Sequence, residues 1–177
     1  MEDKKVAIII AFRDFRDPEY FFPMQVLRGA GVRITTVSTS PGVAIGADGG
    51  EVKVNLLLDD LNPQDFDGIV FIGGPGCLRY LDNDKSYEII QKTVEEGKVL
   101  GAICISPVIL AKAGVLEGKK ATVWSSPLDK SPVKALKEEG ADYQNEGVVV
   151  DGKVVTADGP RSARVFGEAV VEALTRN

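Results

Sequence analysis

Cys104 is the residue whose type and position most directly suggest chemistry in this sequence. It lies in the segment GAICISP (101–107), between small apolar residues and the expected start of a helix. A cysteine at such a turn is often a nucleophile, and a neighbouring histidine usually activates it. The chain contains no histidine. If Cys104 is reactive, another group must therefore activate it.

The turn itself offers one source of activation. Where a buried strand passes directly into a helix, the backbone is tight and often strained, as in a nucleophile elbow. The N–H groups that follow Cys104 then point towards its sulfur, and the positive end of the helix dipole favours a thiolate. Alternatively, Cys104 is a small buried hydrophobic residue, which is the commoner role of a free cysteine. Its position favours a functional role.

Glu19 is the candidate partner of Cys104. It comes early in an apolar helical segment, four residues before Pro23. A glutamate in that position can simply complement the helix dipole. If it lies near Cys104 in a partly dry pocket, its pKa is instead raised, and the neutral carboxyl group donates a hydrogen bond to the thiolate.

The segment FIGGPGC (71–77) carries three further candidates. Gly73 and Gly74 allow the backbone to approach a ligand and to direct N–H groups at an oxyanion, although glycines are also ordinary turn residues. The segment lacks the lysine of a phosphate-binding loop and the spacing of a dinucleotide fingerprint. Cys77, expected in a loop beside the same crevice, is either a resolving thiol for an oxidised Cys104 or a buried cysteine without a role.

Four other side chains could border such a site. Arg13 and Arg16, ahead of Glu19, could bind a substrate carboxylate, but we favour a solvated loop. Tyr80 and Trp124 could line a pocket, but aromatic side chains in a small α/β domain usually belong to the core.

Composition excludes several classes of partner. The net charge of −5 and the scattered lysines and arginines argue against nucleic-acid binding. Two cysteines without histidine provide neither a zinc site nor a disulfide framework. The apolar runs are too short to span a membrane, and the charged start MEDKK leads into a strand without a signal-peptide cleavage site. We therefore expect a cytoplasmic protein with no metal, no organic cofactor and no membrane or nucleic-acid partner.

Strand and helix patterns alternate along the chain. This predicts an α/β fold with a doubly wound, mostly parallel sheet and helices on both faces, in a single domain over 1–177. Ligands bind beyond the carboxyl ends of such strands, where Glu19, Gly73, Gly74, Cys77 and Cys104 would meet. The predicted strands cover 5–11, 32–38, 67–72, 98–104 and 119–124, with hairpins over 42–54 and 148–157. The predicted helices cover 18–29, 84–97, 106–116, 131–140 and 161–174.

Five segments, in their order and spacing, resemble the DJ-1/PfpI superfamily over nearly the whole chain. They are DPEYFFP (17–23), FIGGPG (71–76), AICISP (102–107), LAKAGVLEGKKAT (110–122) and DGKVVTADGP (151–160). The resemblance implies a flavodoxin-like core of the class I glutamine amidotransferase type, with Cys104 at the nucleophile elbow and Glu19 hydrogen-bonded to it. It also implies an oxyanion site at Gly73, Gly74 and the N–H of Ile105. Members usually self-associate, so we expect a homo-oligomer, a dimer or larger.

The sequence departs from this family where a histidine is expected. Protease-like members carry it directly after the cysteine, where this chain has Ile105. Others carry it after the next strand, where this chain has Trp124, Ser125 and Ser126. Peptidase activity is therefore disfavoured, and Trp124 and Ser125 remain candidates for the pocket wall.

The leading functional expectation is glyoxalase, deglycase or related cysteine hydrolase chemistry on small 2-oxoaldehydes or glycated groups. In that reaction a thiolate adds to the aldehyde and Glu19 passes the proton. The competing hypothesis is a redox sensor or stress-protective chaperone, in which the same carboxyl group stabilises an oxidised Cys104. A third family reaction, isonitrile hydration, usually requires a threonine after the cysteine, and Ile105 occupies that position.

Overall fold

Strands and helices alternate along the chain in the computed structural model, which describes residues 1–176. The strands are β1 (Lys5–Ile9), β2 (Arg13–Phe15), β3 (Arg33–Ser38), β4 (Val43–Gly46), β5 (Glu51–Lys53), β6 (Leu56–Leu57), β7 (Gly68–Phe71), β8 (Val99–Ile103), β9 (Lys120–Ala121), β10 (Asp142–Tyr143), β11 (Val148–Asp151) and β12 (Val154–Ala157). The helices are α1 (Asp17–Gly29), α2 (Cys77–Leu81), α3 (Asp84–Glu95), α4 (Pro107–Lys112), α5 (Ser131–Glu138) and α6 (Ala163–Thr175).

Seven strands form the central sheet, in the order β11-β12-β8-β7-β1-β3-β6. β11 and β12 are an antiparallel hairpin, whereas the other neighbouring strands of this sheet are parallel. The strand order reverses on the two sides of β1, which is the property that defines a doubly wound sheet. The α/β fold predicted from the alternation of elements is thus confirmed.

The sheet has a hydrophobic core on each face. Along β1, Val6 and Ile8 pack into one core and Ala7 and Ile9 into the other, because successive side chains of a strand point to opposite faces. One core lies under α1 and α6, and the other lies under α3, α4 and α5. Burial on both faces explains why the strand sequences are continuous apolar runs rather than alternating ones.

The segment 119–124 differs from its prediction as one strand. Its strand, β9, covers two residues and pairs with β10 in a small separate sheet. The next residues are held by other partners, since the Thr122 N–H donates to the Thr156 hydroxyl at 2.9 Å and the Trp124 N–H donates to the Cys104 carbonyl at 2.8 Å. These bonds draw the segment over the carboxyl end of β8, so its β-branched residues serve tertiary contacts rather than a strand.

Helices α1 and α6, of 13 residues each, pack side by side on one face of the sheet. Gly167 of α6 makes this close approach possible. A methyl group at that position would lie 2.9 Å from the Cα of Pro23 and 3.1 Å from the Cβ of Val26. In the part of the chain that the structure describes, no helix is long and apolar enough to cross a membrane.

We expect the substitution Gly167→Ala to lower the free energy of unfolding by about 1–3 kcal/mol, because the added methyl group overpacks the helix pair. Alanine has a higher helix propensity than glycine by about 1 kcal/mol, so the cost of overpacking must exceed this gain for the protein to become less stable. Urea denaturation measures the effect. Gly29→Ala is the control, because a methyl group there has no neighbouring atom within 4 Å. Equal stability of the two variants would contradict the packing argument.

Candidate active site

The candidate site lies at the switch point of the central sheet. β1 has β3 on one side and β7 on the other, so the connections leave its carboxyl end in opposite directions and open a crevice. Glu19 follows β1 and β2, Gly73 follows β7, and Cys104 follows β8 directly. Residues from three distant parts of the sequence therefore meet at one edge of the sheet.

Cys104 occupies a strained turn. Its φ angle is +65°, in the left-handed region that residues with a side chain rarely adopt. Two hydrogen bonds hold this conformation, because the Cys104 N–H donates to the Ala157 carbonyl at 2.9 Å and the Cys104 carbonyl accepts from the Trp124 N–H at 2.8 Å. This is the geometry expected of an elbow between β8 and α4.

Ser106 supports the elbow from below, and the sequence analysis missed it. Its fully buried hydroxyl accepts the Ile103 N–H at 2.9 Å and lies 2.9 Å from the Phe71 carbonyl oxygen. The serine thus links the end of β8 to the end of β7. A serine shortly after a buried strand can be found by asking which side chain satisfies the turn's backbone groups.

Glu19 is fully buried in the first turn of α1. Its Oε2 accepts a hydrogen bond from the Gly73 N–H at 3.0 Å. Its Oε1 is buried and accepts no N–H or O–H hydrogen bond from residues 1–176, and the Cys104 thiol lies close to the carboxyl group. A methyl group on Gly73 would lie 2.6 Å from the Cys104 Cβ and 2.8 Å from Glu19 Oε2. Only glycine fits between the two side chains.

Burial raises the pKa of Glu19 to about 7, although the Cys104 thiol, the Gly73 N–H and the Arg16 cation lower it in part. Burial and the Glu19 carboxylate likewise raise the pKa of the Cys104 thiol, against a smaller lowering by the Ile105 N–H. The Ile105 N–H thus acts in the direction expected of the turn, but burial and the Glu19 carboxylate outweigh it, so the net shift of the thiol pKa disfavours a thiolate.

Beside Cys104 there is a pocket of about 320 Å³, large enough for a small molecule. Its wall contains one charged side chain and is otherwise apolar apart from the cysteine and the glycine backbone. The lining residues are Arg16, Gly74, Pro75, Leu78, Cys104, Ile105 and Trp124. Among residues 1–176, no three His, Cys, Asp or Glu side chains are grouped to hold a metal.

The structure brings most of the predicted residues together, but it separates two of them from the pocket. Cys77 begins α2 and is fully buried in the core, so it does not lie in a loop that borders the crevice. Burial also raises the pKa of its thiol. Ser125 does not line the pocket, and its hydroxyl lies 3.4 Å from the Lys130 Nζ. Trp124, a candidate for the pocket wall, does line the pocket.

Of the two arginines ahead of Glu19, only Arg16 lines the pocket. Arg13 turns away from the pocket and donates to the Phe12 and Val43 carbonyls at 3.0 and 3.2 Å. Arg16 lines the pocket, contrary to its interpretation as a solvated loop residue. Its N–H donates to the Gly73 carbonyl at 3.0 Å, so its backbone is attached to the glycine that touches Cys104.

Asp17, the residue after Arg16, binds the turn between β4 and β5. Its carboxylate accepts the Asp48 N–H at 3.0 Å and the Gly50 N–H at 2.6 Å, both from the turn between β4 and β5. Methyl groups on Gly46 and Gly50, at the two ends of this turn, would overlap Asp17. A small sheet of β2, β4 and β5 is thereby held against the start of α1.

The pair of raised pKa values predicts how Glu19 affects the thiol. In Glu19→Gln the negative charge beside Cys104 is absent, so the pKa of the thiol should fall. A fall of about one unit makes Cys104 alkylation by iodoacetamide at pH 8 about tenfold faster, as followed by intact mass. Cys104→Ser is the control for labelling at Cys77. Slower alkylation of Glu19→Gln would show instead that a neutral Glu19 stabilises the thiolate.

The buried carboxyl also predicts a pH dependence of stability. The folded protein binds a proton at Glu19 more tightly than the unfolded chain does, since the pKa rises from 4.5 to about 7. This contribution is complete below pH 4.5 and is lost as the pH rises to about 7, with a total of about 3 kcal/mol. Urea denaturation from pH 4.5 to 7.5 should show this decline in the wild type relative to Glu19→Gln. Parallel stability curves for the two proteins would refute it.

Comparison with known proteins agrees with the fold and with the order of the segments. The family model described as the DJ-1/PfpI family matches residues 4–173. An uncharacterized protein of Methanocaldococcus jannaschii is 44% identical over 100% of this chain and 85% of its own length. The deglycase PfpI of Pyrococcus furiosus is 35% identical over 86% of this chain and 89% of its own. The crystal structure of a ThiJ/PfpI domain protein from Brachyspira murdochii superposes with a TM-score of 0.90 at 30% identity, covering 96% of this chain and 95% of that one.

Other relatives carry different functional names. A protein of Caenorhabditis elegans named glutathione-independent glyoxalase is 28% identical over 97% of this chain and 89% of its own. A putative cysteine protease of Bacillus subtilis is 30% identical over 97% of this chain and 98% of its own. The names differ, but the match to the family model covers nearly the whole chain. The chain therefore belongs to the DJ-1/PfpI family.

Proposed function

We propose that this protein is an enzyme of the glyoxalase or deglycase type, which acts on small 2-oxoaldehydes or on the groups that they have glycated. Cys104 is the nucleophile and Glu19 is the acid–base group. The proposal depends chiefly on one observation, a buried carboxyl whose pKa is raised to about 7 beside a cysteine that lines a pocket. A general base is most effective when its pKa lies near the working pH.

Glu19 supplies what the absent histidine would supply. The Cys104 thiol keeps its proton at neutral pH, because burial and the carboxylate raise its pKa. When the sulfur attacks the aldehyde carbon, the thiol proton passes to the Glu19 carboxylate. The carbonyl electron pair moves to the aldehyde oxygen, where the N–H groups of Gly74 and Ile105 stabilise the negative charge.

The remaining steps use the same carboxyl group. Glu19 returns its proton to the oxygen, which completes a hemithioacetal. The carboxylate then removes the hydrogen on C1 as a proton and delivers it to C2, while the proton of the C1 hydroxyl passes to the C2 oxygen, so that C1 is oxidised as C2 is reduced. Water cleaves the resulting thioester, which releases a 2-hydroxy acid and restores the thiol. The net reaction consumes one water and needs no external oxidant, metal or organic cofactor.

The relatives support this reaction class over peptidase activity. Relatives named deglycase and glyoxalase span most of this chain. One relative is named a putative cysteine protease, but a Cys-His dyad cannot form in a chain without histidine, nor between two copies of it. Peptidase activity remains the disfavoured alternative.

The second candidate function is a redox sensor. It is favoured by the pocket-lining position of Cys104 and by the Glu19 oxygen that accepts no N–H or O–H hydrogen bond in the described chain. Peroxide would oxidise the sulfur to a sulfenic and then a sulfinic acid, with water as the reduced product. A protonated Glu19 could then donate to the oxidised sulfur.

Turnover of methylglyoxal to lactate tests the proposal. The wild type should form lactate, and kcat/KM should rise with pH through about 7 as Glu19 ionises. Cys104→Ser and Glu19→Gln should each lose about a hundredfold or more. Cys77→Ala is the control for thiol content and is expected to remain active, since Cys77 lies outside the pocket.

One pair of results would overturn the enzymatic proposal. If no lactate forms while low peroxide adds two oxygen atoms to Cys104, the sensor function replaces the enzymatic one. Light scattering on the same samples would test the expected homo-oligomer.

A further inference from the structure

Arg16 gives the pocket a chemical character that the reaction proposed above does not require. Methylglyoxal is uncharged, yet the residues that line the wall beside Cys104 include an arginine, and its cation lies near enough to lower the pKa of Glu19 in part. The other wall residues are apolar or contribute backbone, and the acidic group of the site, Glu19, is fully buried. A cation on an otherwise apolar wall is suited to an anionic part of a ligand.

The guanidinium has unused hydrogen-bonding capacity. Within residues 1–176, no oxygen accepts a hydrogen bond from the Arg16 side chain, and its ion pair with Asp48 is long, at 3.7 Å. The Arg16 side chain is 33% exposed and that of Asp48 is 56% exposed, so water screens this pair. A guanidinium offers five N–H donors in a planar fork that matches a carboxylate.

The position of Arg16 relative to the nucleophile is fixed by backbone contacts. Its N–H donates to the Gly73 carbonyl at 3.0 Å, and its carbonyl accepts the Glu19 N–H at 3.1 Å. Gly74, with φ at +118°, packs directly against this backbone. The backbone of Arg16 is therefore attached to Glu19 and to Gly73, the glycine that packs against Cys104.

We propose that Arg16 forms a carboxylate subsite, so that the preferred substrates are 2-oxoaldehydes that carry a carboxylate group. The identity of the substrates rests on the proposed function, whereas the subsite itself does not. The carboxylate binds the guanidinium in place of Asp48, and the aldehyde carbon faces Cys104. The reaction is then the one described above, and its product is a 2-hydroxy dicarboxylate.

Two alkylating reagents test the subsite without any turnover. Iodoacetate and iodoacetamide have almost the same shape, but only iodoacetate carries a carboxylate. The ratio of their rates at Cys104, measured by intact mass at one pH, cancels any change in the thiolate fraction. We expect Arg16→Gln to lower the iodoacetate to iodoacetamide ratio about tenfold, the value of one charge-assisted pair. Added salt should reduce the wild-type ratio as well.

Matched variants make this test specific. Arg79→Gln removes a neighbouring arginine that pairs with Asp14 at 3.3 Å and does not line the pocket, so the ratio should remain at the wild-type value. Arg16→Lys keeps the charge and should retain part of the preference. An unchanged ratio in Arg16→Gln, or an equal fall in Arg79→Gln, overturns the subsite.

Turnover then tests the substrate class. With 4,5-dioxopentanoate and methylglyoxal, the ratio of the two kcat/KM values should favour the carboxylated compound in the wild type. It should fall about tenfold in Arg16→Gln. Equal use of both compounds by the wild type contradicts the substrate class. If neither compound reacts, the proposed function fails, and the alkylation ratio still decides whether the carboxylate subsite exists.

Discussion

The contact of Glu19 with Gly73 is the interaction on which the candidate site depends. A carboxyl group without exposure to water is costly to keep charged, and a single backbone N–H, at 3.0 Å, compensates it in part. The rest of the cost appears as the raised pKa of the group. Because Gly73 has no side chain, Glu19 and Cys104 can both approach it, and each comes to lie in the other's electrostatic field.

This contact explains why a cysteine site without histidine is chemically reasonable. The usual arrangement couples a thiol to an imidazole that titrates near neutrality. Here desolvation moves a carboxyl into the same range, so the proton acceptor is obtained from burial rather than from a different residue type. The elbow then serves mainly to present the sulfur to the pocket, since its N–H groups do not overcome the burial of the thiol.

Elements with a strong local signal could be predicted from the sequence. The apolar run at β1, the Asp151-Gly152 turn and the glycine-terminated α3 matched their predicted positions. The position of Cys104 after β8 could likewise be predicted. An apolar strand, then a cysteine, then a helix that begins with proline form a local sequence pattern.

What could not be predicted depends on contacts between distant residues. Trp124 was a candidate for the pocket wall only through the family resemblance, and the hydrogen bond from its N–H to the Cys104 carbonyl joins residues that are distant in sequence. Arg16 lines the pocket, and its backbone N–H bonds to Gly73, which is distant in sequence. No feature of the segment RDFRDPE distinguishes Arg16 from Arg13. The direction of the thiol pKa shift also required the structure, since it depends on how deeply the sulfur and Glu19 are buried together.

The left-handed backbone of Cys104 lowers the stability of the fold, although it holds the thiol at the pocket. A φ of +65° costs a residue with a side chain on the order of 1–2 kcal/mol, whereas glycine adopts it freely. Glycine would avoid that strain, although it would also lose the contacts that the partly buried Cys104 side chain makes with one of the two cores. The protein thus gives up part of its margin against unfolding to hold a thiol at the one turn where three chain segments converge. In this sense the elbow is a strained point of the fold, and it lies where the proposed reaction places its nucleophile.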